Sequence, residues 1–275
     1  MVIGRLAKSV HEEKKEVKIL AGNFNILLIG SDIMPGRKGL GERGDSLVLI
    51  NTNTNEKVIR IITIPRDTYV SISKKGRYDK INHALAFGGW QLQKATVEEF
   101  LGIKIDKVIF LDLRNLKDVY YFIKKEFGNE PIKEILSKVG FRATAELAYD
   151  KISEFISSRS TAEAAIGRAK NHARIVNGCV ELCIHYYSNP EKRSLFFKEE
   201  NIINLLKLFR YTDLISEDVI SLVNEWAGYE YSFKQHFVPG KPQRINNVSY
   251  WVPDSIPGSE EYFTKVVNYR KSVFV

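Results

Sequence analysis

The 275-residue sequence predicts an α/β fold in a single domain. Short runs rich in Ile, Leu and Val, bounded by Gly, Asn or Pro, indicate strands in the N-terminal part. Apolar residues three and four apart indicate mostly helices from Pro131 to about Trp226, and strand-like runs return afterwards. No Pro-, Ser- or Gly-rich linker interrupts this order. We therefore expect one domain at residues 21–256, its sheet completed by the C-terminal segment, between a polar leader (1–20) and a polar tail (257–275).

The expected elements follow one another along the chain. The first strands are NFNILLIG (Asn23–Gly30), SLVLINTN (Ser46–Asn53), KVIRIITIP (Lys57–Pro65) and DKVIFLDL (Asp106–Leu113). TNTNEK, between the second and third of these, has the composition of a hairpin turn. A helix is expected between Asn82, an N-cap residue type, and Gly102, a residue type that ends helices. Later helices include NLKDVYYFIKKEFG, NIINLLKLFR and EDVISLVNEW, and the last strands are YSFKQHFV and NNVSYWVP.

Composition and charge narrow the function classes only slightly. The apolar fraction of 44% and the charged fraction of 27% are those of an ordinary globular protein. The 41 basic residues exceed the 33 acidic ones, so the net charge of +8 favours anionic partners such as phosphorylated substrates, nucleic acid or anionic membrane surfaces. Nucleic-acid binding would rest on this charge alone, because the sequence has no helix-turn-helix or RNA-binding signature.

The cysteines and the length of the apolar runs bear on metal or redox sites and on membrane or export signals. Cys179 and Cys183 lie four residues apart on an expected helix, a spacing that favours two buried thiols over a metal or redox site. No window approaches the roughly 18 apolar residues of a membrane-spanning helix. The first 20 residues are too charged to contain the core of a signal peptide, so any anchor or export signal is expected to lie outside this chain.

The glycine-rich segment LLIGSDIMPGRKGLGERGDS (Leu27–Ser46) has the look of a phosphate-binding loop. It runs into a strand and has no Lys-Ser/Thr pair after its last glycine, so a Walker-type loop is not expected. Asp32 and Asp45 instead lie where one strand ends and the next begins, and paired carboxylates suit Mg²⁺. Arg43 beside them could bind a phosphate oxygen. The alternative is that both aspartates only cap turns.

Three further clusters are basic. In IPRDTYV, Pro65 ends a strand and places Arg66 at its carboxyl end, with Asp67 orienting Arg66 or capping the turn; the alternative is that Arg66 is an ordinary surface residue. In RYDKINHALAFGG, Arg77, Lys80 and Asn82 precede a helix N-terminus, which favours anions. From its residues alone, the third cluster, SSRSTAEAAIGRAKNHAR, is predicted to be a solvent-exposed helix face. Its basic residues are Arg159, Arg168, Lys170 and Arg174.

The succession NILLIGSD, RGDSLVLI, IPRDTYV, KINHALAFGG and TVEEFLGIKIDKVIFLDL closely resembles the LytR-CpsA-Psr family over Asn25–Leu113. SSRSTAEAAIGRAKN and FVPGKPQRINNVSYWVPD are similar to later stretches of that family. The resemblance implies a three-layer α/β/α domain with a central mixed sheet, whose helices cover a lipid-binding cleft. The helix that carries Trp90, Leu92, Val97 and Leu101 is a candidate wall of that cleft, or plain core.

The implied activity is transfer of a glycan phosphate from a polyprenyl-pyrophosphate carrier to a peptidoglycan sugar hydroxyl. The product would be a wall-linked teichoic acid, capsule or similar polymer. Mg²⁺, or Mn²⁺ in its place, would be the cofactor, and pyrophosphatase activity could remain without an acceptor. The implied partners are the lipid, peptidoglycan or another glycan, and the membrane surface of the extracytoplasmic envelope; a cytoplasmic location is the alternative.

The resemblance also implies roles for particular residues. Asp32 and Asp45 match the magnesium-coordinating acids, and together with Arg66 they are the implied catalytic set. The implied pyrophosphate-binding residues are Arg43, Arg66, Lys80, Asn82, Arg159 and Arg168. The chain departs from the family where Ser157 stands in place of the first arginine of a pair, and where Asn171 and His172 follow the Gly-Arg pair. The shortened arginine set motivates an alternative function, a non-catalytic binding module for polyprenyl phosphates or wall polymer.

Overall fold

The structure, a computed structural model, describes residues 22–31, 41–138, 149–150, 153–154, 164–255 and 257–269. Its strands are β1 (Asn23–Ser31), β2 (Gly44–Asn53), β3 (Val58–Ile64), β4 (Tyr69–Ile72), β5 (Arg77–Lys80), β6 (Lys107–Asp112), β7 (Tyr211–Thr212), β8 (Ser232–Phe237), β9 (Gly240–Ile245) and β10 (Val248–Pro253). Its helices are α1 (His83–Leu101), α2 (Leu113–Phe127), α3 (Glu130–Lys138), α4 (Ala164–Ser188), α5 (Pro190–Phe196), α6 (Glu199–Leu206), α7 (Ser216–Gly228) and α8 (Glu260–Asn268).

Six strands form a central mixed sheet in the order β7-β6-β1-β2-β3-β8. β1, β2 and β3 are antiparallel neighbours, and the turn between β2 and β3 is the expected hairpin. β6 lies parallel to β1, and β8 lies parallel to β3. The prediction that a C-terminal strand completes the sheet is therefore confirmed by β8.

Helices cover both faces of this sheet, which confirms the predicted α/β/α arrangement. Successive strand residues point to opposite faces, so Leu27 enters one core and Ile26 the other. α1 and α8 pack on the first core, and α4 and α7 pack on the second. Truncating one fully buried aliphatic side chain, such as Leu49, would typically cost about 2–5 kcal/mol.

Helix α1 follows its sequence signals closely. It begins after Asn82 and ends at Gly102, which is left-handed (φ 68°) and donates its N–H to the carbonyl of Glu98. The Asn82 side chain makes no capping hydrogen bond, although the residue occupies the N-cap position as expected. The four residues of the candidate cleft wall all belong to the first core or pack against it: Trp90, Leu92, Val97 and Leu101.

Several elements were not expected from the sequence. β4 and β5 form a separate hairpin, and β9 pairs with β10, the strand expected at NNVSYWVP, in a second hairpin outside the central sheet. The segment from residue 257, expected as a polar tail, includes α8, whose Tyr262, Phe263 and Val266 are buried in the first core. Ser259 begins this helix, because its side-chain oxygen accepts a hydrogen bond from the Tyr262 N–H. A nine-residue helix has too few turns for its apolar spacing to stand out in the sequence.

Helix length and cysteine burial bear on the expectations about membrane-spanning helices and thiols. Within the described ranges, no helix combines the length and the apolar character needed to cross a bilayer. Cys179 and Cys183 both lie on α4 as free, partly buried thiols. Burial raises the pKa of the Cys179 thiol to about 12 and that of Cys183 to about 11. Neither therefore has the lowered pKa of a reactive or metal-binding cysteine.

Candidate active site

The candidate site lies at the edge of the sheet where β1 ends and β2 begins. A register shift follows Gly30, and Ser31 then pairs with Gly44 on one side and with Asp112 on the other. A Cβ at Gly44 would lie 3.1 Å from Oε1 of Gln93, so a larger residue would crowd the helix behind the strand. Asp45 directly follows Gly44, at this same edge.

Arg66 reaches the same edge because β3 runs antiparallel to β2. Their pairing sets Ile64, the last residue of β3, beside Leu47 near the start of β2. The next turn is closed by the Thr68 N–H, which donates to the Pro65 carbonyl at 3.0 Å. Nη1 of Arg66 then lies 2.7 Å from Oδ2 of Asp45, with 27% of the arginine side chain and 9% of the aspartate side chain exposed. The predicted Asp45 and Arg66 are thus in direct contact.

Asp67 connects this ion pair to Lys80. Its Oδ1 accepts a hydrogen bond from Nζ of Lys80 at 2.7 Å, and its Oδ2 lies 3.6 Å from Nε of Arg66. Asp45, Arg66, Asp67 and Lys80 therefore form a row of alternating charges. Such a row holds two cations in fixed positions while each is balanced by a carboxylate.

Asn82 joins the segments of the site through its backbone. Its N–H donates to the carbonyl of Arg66 at 3.2 Å, and its carbonyl accepts from the N–H of Gly44 at 3.3 Å. The residue is only 2% exposed. Its side-chain oxygen is buried and receives no hydrogen bond from any residue within the described ranges. Asn82 therefore fixes the spacing between the two loops that carry Asp45 and Arg66.

Two polar residues of this region were missed by the sequence reasoning. Nδ1 of His83 lies 3.0 Å from Oδ1 of Asp79, four residues earlier. Burial alone would raise the pKa of Asp79, but the contacts with His83, Lys80 and Arg77 bring that pKa below its usual value. Gln93, which is fully buried on α1, donates to the carbonyl of Ile81 at 3.0 Å. Asp79 and His83 are four residues apart at the start of a helix, and this spacing in the sequence could have predicted their contact.

The other predicted site residues are only partly covered by the described part of the structure. Arg43 is partly buried beside Gly44, and its Nε is buried without a hydrogen-bond partner among the residues that the structure describes. Asp32 and Arg159 lie outside the described residues. Arg168 lies in the first turns of α4, and its side chain is likewise outside what is described. The structure therefore brings together Asp45, Arg66, Lys80 and Asn82 from the predicted set.

The donor chemistry at this edge fits a hard cation. Asp45 supplies carboxylate oxygens, and Asp32 would follow directly on Ser31, the residue paired with Gly44. In the described ranges, no cluster of three or more His, Cys, Asp or Glu could hold a metal with protein ligands alone. A hard cation such as Mg²⁺ usually takes one or two carboxylates and completes its shell with phosphate oxygens and water.

The sequence of this chain is similar to that of known proteins. Residues 4–121 match the family model described as "LytR_cpsA_psr family". The teichoic acid transferase TagU of Bacillus subtilis, named for transfer from a polyisoprenyl carrier to peptidoglycan, is 25% identical over 92% of this chain and 81% of its own length. TagU of Bacillus licheniformis is 27% identical over 84% of this chain and 73% of its own.

Solved structures share the fold. TagV of B. subtilis superposes with a TM-score of 0.62 at 20% identity, covering 90% of this chain and 95% of that one. The LytR-CPS2A-psr family protein YwtF (TagT), solved with bound octaprenyl pyrophosphate lipid, superposes with a TM-score of 0.57 at 21% identity, covering 89% and 87%.

Proposed function

We propose that the chain, whose residues 4–121 match the LytR_cpsA_psr family model, belongs to that family and transfers a glycan phosphate from a polyprenyl-pyrophosphate carrier to a sugar hydroxyl of peptidoglycan. The observation that carries the proposal is the contact between Asp45 and Arg66 at the sheet edge. The names of the TagU relatives, which specify teichoic acid and peptidoglycan, support the same class of donor and acceptor.

The reaction requires one bond to form and one to break at phosphorus. The acceptor hydroxyl oxygen bonds to the phosphorus of the glycan phosphate, while the bond from that phosphorus to the bridging oxygen breaks. Polyprenyl phosphate leaves, and the product is a phosphodiester. The hydroxyl proton must also leave, and the carboxylates of the site are the candidates to accept it.

Arg66 and Lys80 are the cations that we assign to the pyrophosphate. Both side chains are partly exposed, at 27% and 19%, so a ligand can reach them from solvent. Asp67 holds both in place before substrate arrives. Donors that are already oriented stabilise the charge that develops on the leaving phosphate, and losing one such donor commonly costs about 2.7–4 kcal/mol of transition-state stabilisation.

We propose that Asp45, together with Asp32, holds Mg²⁺, with Mn²⁺ as a substitute. The ion would neutralise phosphate charge and so make the leaving group better. Asp45 is suited to this because its carboxylate is mostly buried, where an added positive charge is strongly favoured. Without an acceptor glycan, water could take the place of the hydroxyl and give slow pyrophosphatase activity.

The proposed place of action is the outer surface of the membrane in the cell envelope. The lipid carrier and peptidoglycan are both found there, and the net charge of +8 favours approach to an anionic bilayer.

The test is transfer in a purified system. We expect the protein to move glycan phosphate from a polyprenyl-pyrophosphate-linked donor to peptidoglycan fragments when Mg²⁺ is present. Asp45→Ala and Arg66→Ala should each lower kcat by roughly 10²–10³-fold. The matched control is Arg193→Ala, an exposed arginine on α5.

Two results would contradict the proposal. Unchanged turnover in both site variants would show that the roles given to Asp45 and Arg66 are wrong. Tight lipid binding by the unaltered protein, without transfer to any acceptor offered, would instead favour the non-catalytic binding module.

A further inference from the structure

The outer face of the β4–β5 hairpin is aromatic. Val70 and Ile72 of β4 are buried in the first core, so the alternate residues Tyr69 and Ser71 point away from it. Ser71 pairs with Tyr78 across the hairpin. The outer face therefore carries tyrosines where an isolated hairpin would ordinarily show small polar or charged side chains.

Three tyrosines on this side form one contiguous surface, which we call the tyrosine platform: Tyr69, Tyr78 and Tyr250. The rings of Tyr69 and Tyr78 are 5.2 Å apart between centroids and inclined by 30°. Tyr250, on β10, meets Tyr69 edge to face at 4.9 Å. Tyr78 is 63% exposed and continues the surface formed by the other two rings; a contiguous exposed apolar patch, unlike a single exposed ring, often marks a binding site.

The platform adjoins the candidate active site. Nζ of Lys80 is 2.7 Å from Oδ1 of Asp67 and 5.6 Å from the ring centroid of Tyr250. The N–H of Trp251, the residue after Tyr250, donates to the Asp67 carbonyl at 2.9 Å. β10 is thus fastened to the turn that carries Arg66. A ligand bound on the rings would touch the same lysine that we assign to the pyrophosphate.

We propose that the tyrosine platform binds a sugar ring of the acceptor glycan, an inference that rests on the proposed function. Aromatic faces pack against the C–H faces of pyranose rings, while the phenol hydroxyls, Ser71 and Lys80 offer hydrogen bonds to sugar hydroxyls. A lipid tail would require an apolar cleft, whereas Ser71 and Lys80, which share the outer face of the hairpin with these rings, are polar. The platform lies on the open side of the hairpin, away from the first core, so an interior unit of a long polymer can settle on it without threading an end.

The test is direct binding of a lipid-free peptidoglycan oligosaccharide, released from the wall by a muramidase and titrated into the protein by calorimetry. Tyr78→Ala should raise Kd roughly tenfold, which corresponds to about 1.4 kcal/mol. Tyr78→Phe should keep most of the affinity, because it keeps the ring. The matched control is Tyr121→Ala, since Tyr121 is a tyrosine of similar exposure (51%) on α2. Affinity for bare polyprenyl pyrophosphate should be the same in Tyr78→Ala as in the unaltered protein.

Other outcomes would overturn the inference. One is equal oligosaccharide affinity in Tyr78→Ala and the unaltered protein. Another is weakened binding of the glycan-bearing lipid alone, which would assign the platform to the donor. Failure of the unaltered protein to bind polyprenyl pyrophosphate would contradict the proposed function instead, and the oligosaccharide titration would still decide the platform.

Discussion

A buried histidine makes the stability of this protein depend on pH. His236 lies on β8 beside Ile62 of β3 and is only 9% exposed. Its Nε2 is buried and has no hydrogen-bond partner in the ranges that the structure describes. Burial, and then the charges of Arg60 and Lys234, lower its pKa from 6.5 to about 4. The folded protein therefore holds this imidazole neutral.

The sign and size of the effect follow from these two pKa values. Above pH 6.5 the histidine is neutral in both states, and its contribution to stability is fully present. Between pH 6.5 and about 4 the unfolded chain binds a proton that the folded state excludes, so the free energy of unfolding falls. At about 1.4 kcal/mol per pKa unit, the loss amounts to roughly 2 kcal/mol by pH 5 and about 3 kcal/mol at most.

Urea unfolding between pH 4 and 8 would measure this loss. His236→Gln cannot take up the proton, so its free energy of unfolding should change by roughly 2 kcal/mol less than that of the unaltered protein between pH 7 and pH 5. His185→Gln, at an exposed histidine on α4, is the matched control and should keep the full pH dependence. Parallel curves for the unaltered protein and His236→Gln would refute the reasoning.

Three further predictions concern stability, metal and thiols. Gly102→Ala should destabilise the fold by more than 2 kcal/mol in urea unfolding, because φ is 68° and the new Cβ would lie 2.3 Å from the Ser259 carbonyl carbon. Gly128→Ala, with φ 76° but open space around the Cβ, should cost only about 1 kcal/mol. Mg²⁺ should raise polyprenyl-pyrophosphate affinity at least tenfold in the unaltered protein, chelation should reverse this, and Asp45→Asn should abolish the difference in a calorimetric titration. Both cysteines should react with a disulfide reagent at pH 8 many times more slowly in the folded protein than in urea, since burial raises their pKa; equal rates would contradict the placement of the thiols.

Much of the sheet was predictable from local pattern. The runs that became β1, β2, β3 and β6 are apolar, short and bounded by turn residues, and such patterns depend only on neighbours along the chain. The position of Arg66 followed in the same way, because Pro65 ends a strand. Helix α1 likewise begins after Asn82 and ends at Gly102, as their residue types indicate.

Contacts between distant residues were decided by the tertiary structure. The antiparallel register of β2 and β3 brings together Asp45 and Arg66, 21 residues apart. A slip of one residue in that register would turn every side chain to the opposite face, so the contact depends on how the two strands pair and not only on the residues next to Asp45 and Arg66.

The sequence by itself determined which residue types stand at strand ends and helix starts, and hence the acids and cations available for a phosphate. Only the tertiary structure decided that Asp67 joins Arg66 to Lys80, that Tyr250 meets Tyr69, and that α8 enters the core. The physical reason is that propensity and periodicity act between residues a few positions apart. Ion pairs, ring contacts and burial depend on segments that meet only when the sheet and its hairpins have formed.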